Sequence, residues 1–404
     1  MIKKIKRSEF VFYYHKNGQV FDILSMLKGE IKFHETEQLL AFPILFGQEV
    51  IIDFNDFIIL KEISTAKWIE DFSILNLADA FIEKYIENGI LLVDTDQEKA
   101  QYYISKENIL NNQKWNIYSA FFHFLTKWKN VDVQLKPEDY EGTENIDLYH
   151  QSMDAVVEKF GVPPAHFHTI QTTQKVDLPL IDKSEDPYYK IVLNRKTGRV
   201  YDRNKSLTIE KLSTILYYTW GCHGIYEMHP KLKMLHKTAP SGGSLHPTEC
   251  YALALNVEGL LPGIYHYNVE THSLHLVKTY TREEAENHAN SFIAGQNYVR
   301  DANALFIMTS RYFRNFWKYR QHTLAYKVTQ LDAAHLSQMF YLNCAKEDLS
   351  CFVTGAANSL YVEQEIGIDG FEEGTTLVVG CGTELLDADI NLLEPEFHKY
   401  KIKR

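Results

Sequence analysis

The chain has 404 residues, of which 45% are hydrophobic, 24% charged and 13% aromatic, a makeup that excludes a disordered protein and predicts a folded globular one of two or three domains. A formal net charge of -11 disfavours the broad positive field by which proteins hold nucleic-acid backbones, so no nucleic-acid partner is expected. No stretch reaches the roughly 20 apolar residues needed to span a bilayer, and the basic start Met1 to Arg7 runs into Ser8 and Glu9 rather than an apolar signal core, which predicts a cytoplasmic protein without a membrane partner. Five scattered cysteines with no Cys-x-x-Cys pair predict reduced, buried thiols.

In chain order, residues 1–105 alternate strand-like runs, such as Val50 to Phe54 and Phe57 to Leu60, with helical ones. The clearest helix runs from about Leu77 to Asn88, with Asn76 as a cap and Gly89 closing it in a left-handed turn, and the strand-like Ile90 to Val93 follows. Helix, tight turn and strand is the local order of a winged helix-turn-helix. Residues 106–187 form a connector: an aromatic helical stretch with Trp115, Tyr118, Phe121 and Phe122, another around Val156 to Phe160, then Pro163-Pro164 and a polar run to Pro187. A boundary is expected near residue 188. Beyond it, Thr208 caps a helix to Trp220, followed by Gly221. Tyr251 to Asn256, Leu305 to Ser310 and Leu377 to Val379 are buried strands, and an amphipathic helix spans Thr323 to Glu347. The whole predicts an α+β fold with domains at 1–105, 106–187 and 188–404.

Two segments after residue 188 can bind a phosphorylated, flat ligand. Arg195-Lys-Thr-Gly-Arg199-Val-Tyr201 offers two guanidiniums and the Thr197 hydroxyl, donors suited to phosphate; a solvated basic turn is the alternative. Ala239-Pro240-Ser241-Gly242-Gly243-Ser244-Leu-His246-Pro247 brings adjacent glycines, which let backbone approach a planar ring. Neither matches Gly-x-Gly-x-x-Gly or a P-loop. His223, His229, His236 and His246, at spacings of six, seven and ten residues, match no common zinc pattern, so no metal is expected.

Together these segments resemble the nitroreductase superfamily. Arg-x-Thr-x-Arg-x-Tyr is similar to its opening flavin motif. Pro240-Ser-Gly-Gly-Ser-Leu-His-Pro-x-Glu249 and Gly263-Ile-Tyr-His-Tyr267 are similar to signatures of its SagB-type branch, the azoline oxidases of thiazole- and oxazole-forming peptide clusters. The resemblance spans about residues 188–384. It implies a nitroreductase-like FMN-binding domain, a homodimer whose interface forms both flavin sites, and an N-terminal winged-helix-like peptide-recognition domain. Carried over position by position, it places Arg195 and Thr197 by the FMN phosphate. Arg199 lies by the flavin N1 and O2 edge, where a fixed positive charge favours the reduced form. Pro240, Ser241, Gly242, Gly243, Ser244 and His246 line the ring or ribityl chain, and Gly355 turns a backbone N–H toward flavin N5.

Trp317-Lys318-Tyr319-Arg320, with Asp332-Ala-Ala-His335 after it, looks like the Lys-Tyr pair that azoline oxidases set over the flavin and the helix that follows. Aromatising an azoline needs a proton taken from Cα as hydride leaves, and Lys318 can act as that base, with Tyr319 orienting it, if burial and nearby cations favour its neutral form. A charged surface loop is the alternative for this stretch, and a bond between Asp332 and His335 along one helix face is the alternative for that pair. The chain departs from the family at Ser244 and His246, where Asn and Gln are usual, at Lys327, where the branch commonly has Arg, and at Asp348-Leu-Ser350, where Gly-Leu-Gly is usual. The resemblance implies oxidation of a thiazoline or oxazoline in a ribosomal precursor peptide, beside a cyclodehydratase or dehydratase partner. Reduction of dehydroalanine or dehydrobutyrine residues, generic nitro or quinone reduction, and a flavin-free peptide-binding scaffold are the alternatives.

Overall fold

A computed structural model of the chain describes residues 4–21, 33–75, 77–133, 174–179, 185–230 and 232–385, with a few single positions between 154 and 183. It divides into two compact units, each drawn from separate stretches of sequence. The first comprises residues 1–127, 311–329 and 369–374, the second residues 128–310, 330–368 and 375–404.

The first unit is a small sheet-and-helix assembly. Strand β1 (Ile5–Arg7) pairs antiparallel with β5 (Leu91–Val93). The long strands β2 (Val11–Phe21) and β3 (Phe33–Pro43) pair over their whole length, and β3 also carries the short β4 (Val50–Ile51), which leaves β2 at a sheet edge. Helix α1 (Phe54–Glu62) corrects the expected strand at Phe57 to Leu60: the Asp53 carboxylate accepts from the Asn55 N–H and starts a helix, and of that run only Leu60 is buried. Helix α2 (Asp79–Glu87) is followed by Gly89 at φ +68° and by β5, the expected helix–turn–strand order. Ala78 opens α2 without a side-chain cap, and the expected cap Asn76 lies outside the described residues. Helices α3 (Glu98–Asn112) and α4 (Ile117–Leu125) complete the N-terminal part.

Hydrogen bonds explain why two distant stretches belong to this unit. Trp115 Nε1 donates to Phe371 O at 3.0 Å. The buried His123 ring bridges Gly370 O and the Tyr326 hydroxyl at 3.0 and 3.1 Å, and burial holds its basicity well below the usual range. Tyr312, Phe316 and Phe371 join Trp115 and Phe124 in one core cluster.

The second unit opens on α5 (Pro187–Asn194), with Asp186 as N-cap and Pro187 in the first turn. Next come α6 (Ile209–Trp220), capped by Thr208, and the hairpin β6 (Gly224–His229) and β7 (Leu232–His236). A Cβ on Gly221 would fall 2.2 Å from Tyr217 O, which explains a glycine there. The main sheet has six strands in the order β10 (Ser273–Thr279), β9 (Gly263–Asn268), β8 (Thr248–Ala254), β11 (Ala304–Arg311), β13 (Glu373–Thr383), β12 (Leu349–Thr354). Alternate residues of a strand point to opposite faces. Cys250 and Ala252 of β8 with Phe306 and Met308 of β11 meet Leu212, Ile215 and Trp220 of α6, together with residues of a later helix, Leu324–Lys346. Leu253, Leu305 and Ile307 meet Ala285, Ala289 and Phe292 of α7 (Arg282–Phe292) on the other face, together with Val362 and Ile366. Both faces being covered, these strands read as unbroken apolar runs. The remaining helices are α8 (Tyr312–Tyr319), α9 (Leu324–Lys346) and α10 (Ser359–Ile366). The fold is α+β. The connector helix expected around Val156 to Phe160 lies largely outside the described residues.

Candidate functional site

In the second unit, the expected phosphate segment runs from the end of α5 along β12. Arg195 is the C-cap of α5. Gly198 N donates to Cys351 O at 2.9 Å, and a Cβ on Gly198 would fall 2.4 Å from Ser350 Oγ, so the segment lies flush against β12. The Tyr201 ring is buried, and its hydroxyl donates to Gly198 O at 3.0 Å. This contact also explains one departure from the family pattern, because Ser350 fills the space that a side chain at position 198 would need. Gly198→Ala is therefore expected to destabilise the protein by roughly 1–3 kcal/mol as an overpacking change, and Ser350→Gly in the same chain to restore most of the loss, as read by denaturant unfolding. Asp348, also in place of glycine, sits at φ +53°, a region Asp tolerates better than most residues.

Aromatic side chains support both guanidiniums. Arg195 lies 5.3 Å from the Tyr341 ring centre, and Arg199 lies 5.1 Å from that of Tyr298. Thr197 Oγ1 is 2.9 Å from the Tyr341 hydroxyl. Burial raises the hydroxyl pKa of Tyr298 and of Tyr341, against the pull of Arg199 on the first and of Thr197 and the arginines on the second. Arg199 Nε is buried and meets no hydrogen-bond partner among the described residues.

Arg199 and Gly355 are tied together by residues that sequence reading missed. The Tyr298 hydroxyl donates to Gln296 Oε1 at 2.8 Å. Gln296 Nε2 donates to Thr354 Oγ1 at 3.2 Å, and that oxygen also accepts from the Ala356 N–H at 3.1 Å. The chain from Arg199 through Tyr298 and Gln296 thus ends on the two residues flanking Gly355. Gly355 is exposed, and a Cβ built there would meet nothing within 4 Å. No local spacing links positions about a hundred residues apart, so only the fold could reveal this network.

The glycine loop stands on a different support. Ser241 Oγ donates to Asp332 Oδ2 at 2.7 Å and accepts from His246 N at 2.9 Å, and Gly242 N donates to Asp332 Oδ1 at 3.0 Å. Ser244 Oγ donates to Leu235 O at 3.0 Å, and His246 Nε2 lies 3.1 Å from the same oxygen. Both serine hydroxyls therefore have partners inside the protein, as do the N–H groups of Gly242 and His246, and the N–H of Ser244 donates to Ser241 O at 3.0 Å. Asp332 bonds the loop rather than His335, which is exposed. Lys237, Pro240, Ser241, His246, Thr248 and Asp332 line a small cleft.

Asp332 and Tyr341 lie nine residues apart on α9, about 14 Å along its axis and half a turn around it. They flank the stripe Ala333, Leu336, Phe340 and Cys344 that faces the core. One helix thus carries the arginine segment on one flank and the glycine loop on the other.

Lys318 and Tyr319 belong to the first unit, at the end of α8. Tyr312 and Phe316 anchor that helix, Lys318 is exposed with its Nζ 5.7 Å from the Tyr319 ring centre, and Arg320, at φ +54°, ends the helix. Cys250, Cys344, Cys351 and Cys381 are buried, and Cys222 is partly so. Among the described residues no group of three or more His, Cys, Asp or Glu side chains is placed to hold a metal, and no helix is long and apolar enough to cross a membrane.

Residues 192–383 match the Nitroreductase family. The chain is 24% identical over 303 residues to the trifolitoxin-processing protein TfxB of Rhizobium leguminosarum bv. trifolii, covering 73% of this chain and 76% of that one. It is 27% identical over 186 residues to MJ1384 of Methanocaldococcus jannaschii, a protein named as a nitroreductase, covering 46% of this chain and 85% of that one. Among solved structures it is similar to the E. coli microcin synthetase McbBCD complex with truncated pro-MccB17 bound, with a TM-score of 0.47 and 16% identity over 69% of this chain and 94% of that chain.

Proposed function

We propose that this chain binds FMN and oxidises a thiazoline or oxazoline in a ribosomally made precursor peptide to the thiazole or oxazole. The observation that carries the reading is the buried, unpartnered Nε of Arg199 beside Arg195 and Thr197, on a segment connected through Tyr298 and Gln296 to the open backbone at Gly355. A buried donor without an acceptor is costly, and a bound anionic ligand would supply the acceptor.

The donor set fits FMN. Arg195 and Thr197 would hold the phosphate, Arg199 the N1 and O2 edge, and Gly355 a backbone N–H toward N5. Backbone of Pro240, Ser241, Gly242, Gly243, Ser244 and His246 would line the ring and ribityl chain. Because α9 carries the two segments on opposite flanks, we assign each site to a homodimer, with the arginine segment from one protomer and the glycine loop from its partner. When bound, FMN would supply a two-electron acceptor for the hydride, with dioxygen as the terminal oxidant.

Lys318, as the neutral amine, takes the proton from the substrate Cα, and Tyr319 orients that amine or relays the proton; the motif resemblance supports these roles. Lys318 is exposed, so the substrate itself has to exclude water from it. The edge of β2 in the first unit is suited to bind the leader by strand addition, and a cyclodehydratase would supply the azoline. The similarity to a trifolitoxin-processing protein favours a peptide over a small quinone.

Anaerobic mixing of the FMN-loaded protein with an azoline-bearing peptide tests the reading. Bleaching of the flavin with loss of two hydrogens from the peptide is the expected result. Reduction of a dehydroalanine-bearing peptide at the expense of NAD(P)H, without azoline oxidation, would instead assign the reductive direction.

A further inference from the structure

The loop Ser241 to His246 is held in a conformation its sequence does not favour. Gly243 has φ +65°, and so too do two residues with side chains lie in the left-handed region, Ser244 at +57° and His246 at +45°. Such residues persist only where surrounding bonds fix them. The bonds converge on one carboxylate. Asp332 is 3% exposed and accepts from the Ser241 hydroxyl and the Gly242 N–H, while the same hydroxyl accepts from the N–H of His246. A single side chain on α9 thereby fixes the first two residues of the loop directly and its last through Ser241.

Stability does not explain a carboxylate at this position. Among the described residues Asp332 forms no ion pair with a lysine or arginine, and burial raises its pKa, so its charged form carries a desolvation penalty at this position. Buried groups that weaken a fold are commonly kept where they shape a site.

We propose that Asp332 is a positioning residue for the cofactor: it holds the loop Ser241 to His246 in the conformation that receives the flavin, although it does not itself touch the ligand. This rests on the FMN reading above. The path of the loop's main chain depends on the bonds to Asp332 and Ser241.

The test uses the full-length protein, free of flavin, and its Asp332→Ala, Asp332→Asn and Ser241→Ala variants. Hydrogen exchange across residues 239–247 is measured first, and FMN affinity by titration second. In Asp332→Ala, exchange across the loop and the FMN dissociation constant should each rise roughly tenfold or more, since two bonds to a charged acceptor are lost. Asp332→Asn, whose Oδ1 still accepts from Gly242 N, should recover most of both. Ser241→Ala should free the His246 amide and give an intermediate affinity. Unchanged exchange and unchanged affinity in Asp332→Ala would overturn the proposal. If the unaltered protein binds no FMN, the flavin reading fails, and the exchange data alone decide whether Asp332 holds the loop. If Asp332→Ala does not fold, the pair Asp332→Asn and Ser241→Ala still decides, because equal exchange and affinity in both and in the unaltered protein would overturn it.

Discussion

Arg199→Ala is expected to abolish measurable FMN retention through purification and to weaken FMN binding by roughly 10- to 100-fold on titration, the loss anticipated for a charge-assisted hydrogen-bonding group. The same substitution should leave the flavin-free protein as stable as before, or slightly more so. Arg199 Nε is buried without a partner among the described residues, so truncation removes a donor whose desolvation is uncompensated. The stacked contact with Tyr298 is the part of the side chain whose loss works the other way. These two effects set a signature that general damage cannot imitate. Thermal unfolding without FMN should be nearly unchanged, while the rise in unfolding temperature that FMN confers on the unaltered protein should disappear. Arg199→Lys, which keeps the charge and loses the planar fork, should fall between the two. A variant that unfolds early without FMN, yet binds it normally, would make Arg199 a structural residue.

Lys318→Ala should lower azoline oxidation by roughly 100- to 10,000-fold, the range associated with loss of a general base, with flavin content and visible spectrum unchanged. The residue is exposed at the end of a helix held by Tyr312 and Phe316, so the substitution leaves the core of the first unit intact. Tyr319→Phe should have a smaller effect on the same step. Single-turnover reduction of the bound flavin by azoline peptide separates this from peptide binding: a base acts on the rate of reduction, whereas a binding role shifts only its dependence on peptide concentration. Equal reduction rates in Lys318→Ala and the unaltered protein would remove Lys318 from the mechanism and leave the solvated-loop reading of that stretch.

What could be read from the sequence is what local chemistry determines. Thr208 as a cap and the helical spacing of Leu212, Ile215 and Leu216 marked α6, and apolar runs bounded by polar residues marked β8, β11 and β13. The run Phe57 to Leu60 misled because four consecutive apolar residues carry no period, and the deciding feature, the Asp53 cap, is a single side chain. Residues 311–329 and 369–374 belong to the first unit through Trp115, His123 and Phe371, bonds that no local pattern announces. The same holds at the candidate site. Its motifs were visible as arginines and glycines, whereas the groups that hold them, Asp332, Tyr341, Tyr298 and Gln296, come from elements far away in sequence. Asp332 was noticed only for its spacing to His335, and helical spacing cannot say that the carboxylate turns to a loop ninety residues earlier.

The most direct test of the account is an absorption titration of the flavin-free, unaltered protein with FMN. The account predicts a saturable perturbation of the flavin band near 450 nm, an approximate position for any oxidised flavin, reaching about one FMN per chain on a species that sediments as a dimer. A spectrum that remains that of free FMN at every protein concentration would contradict it.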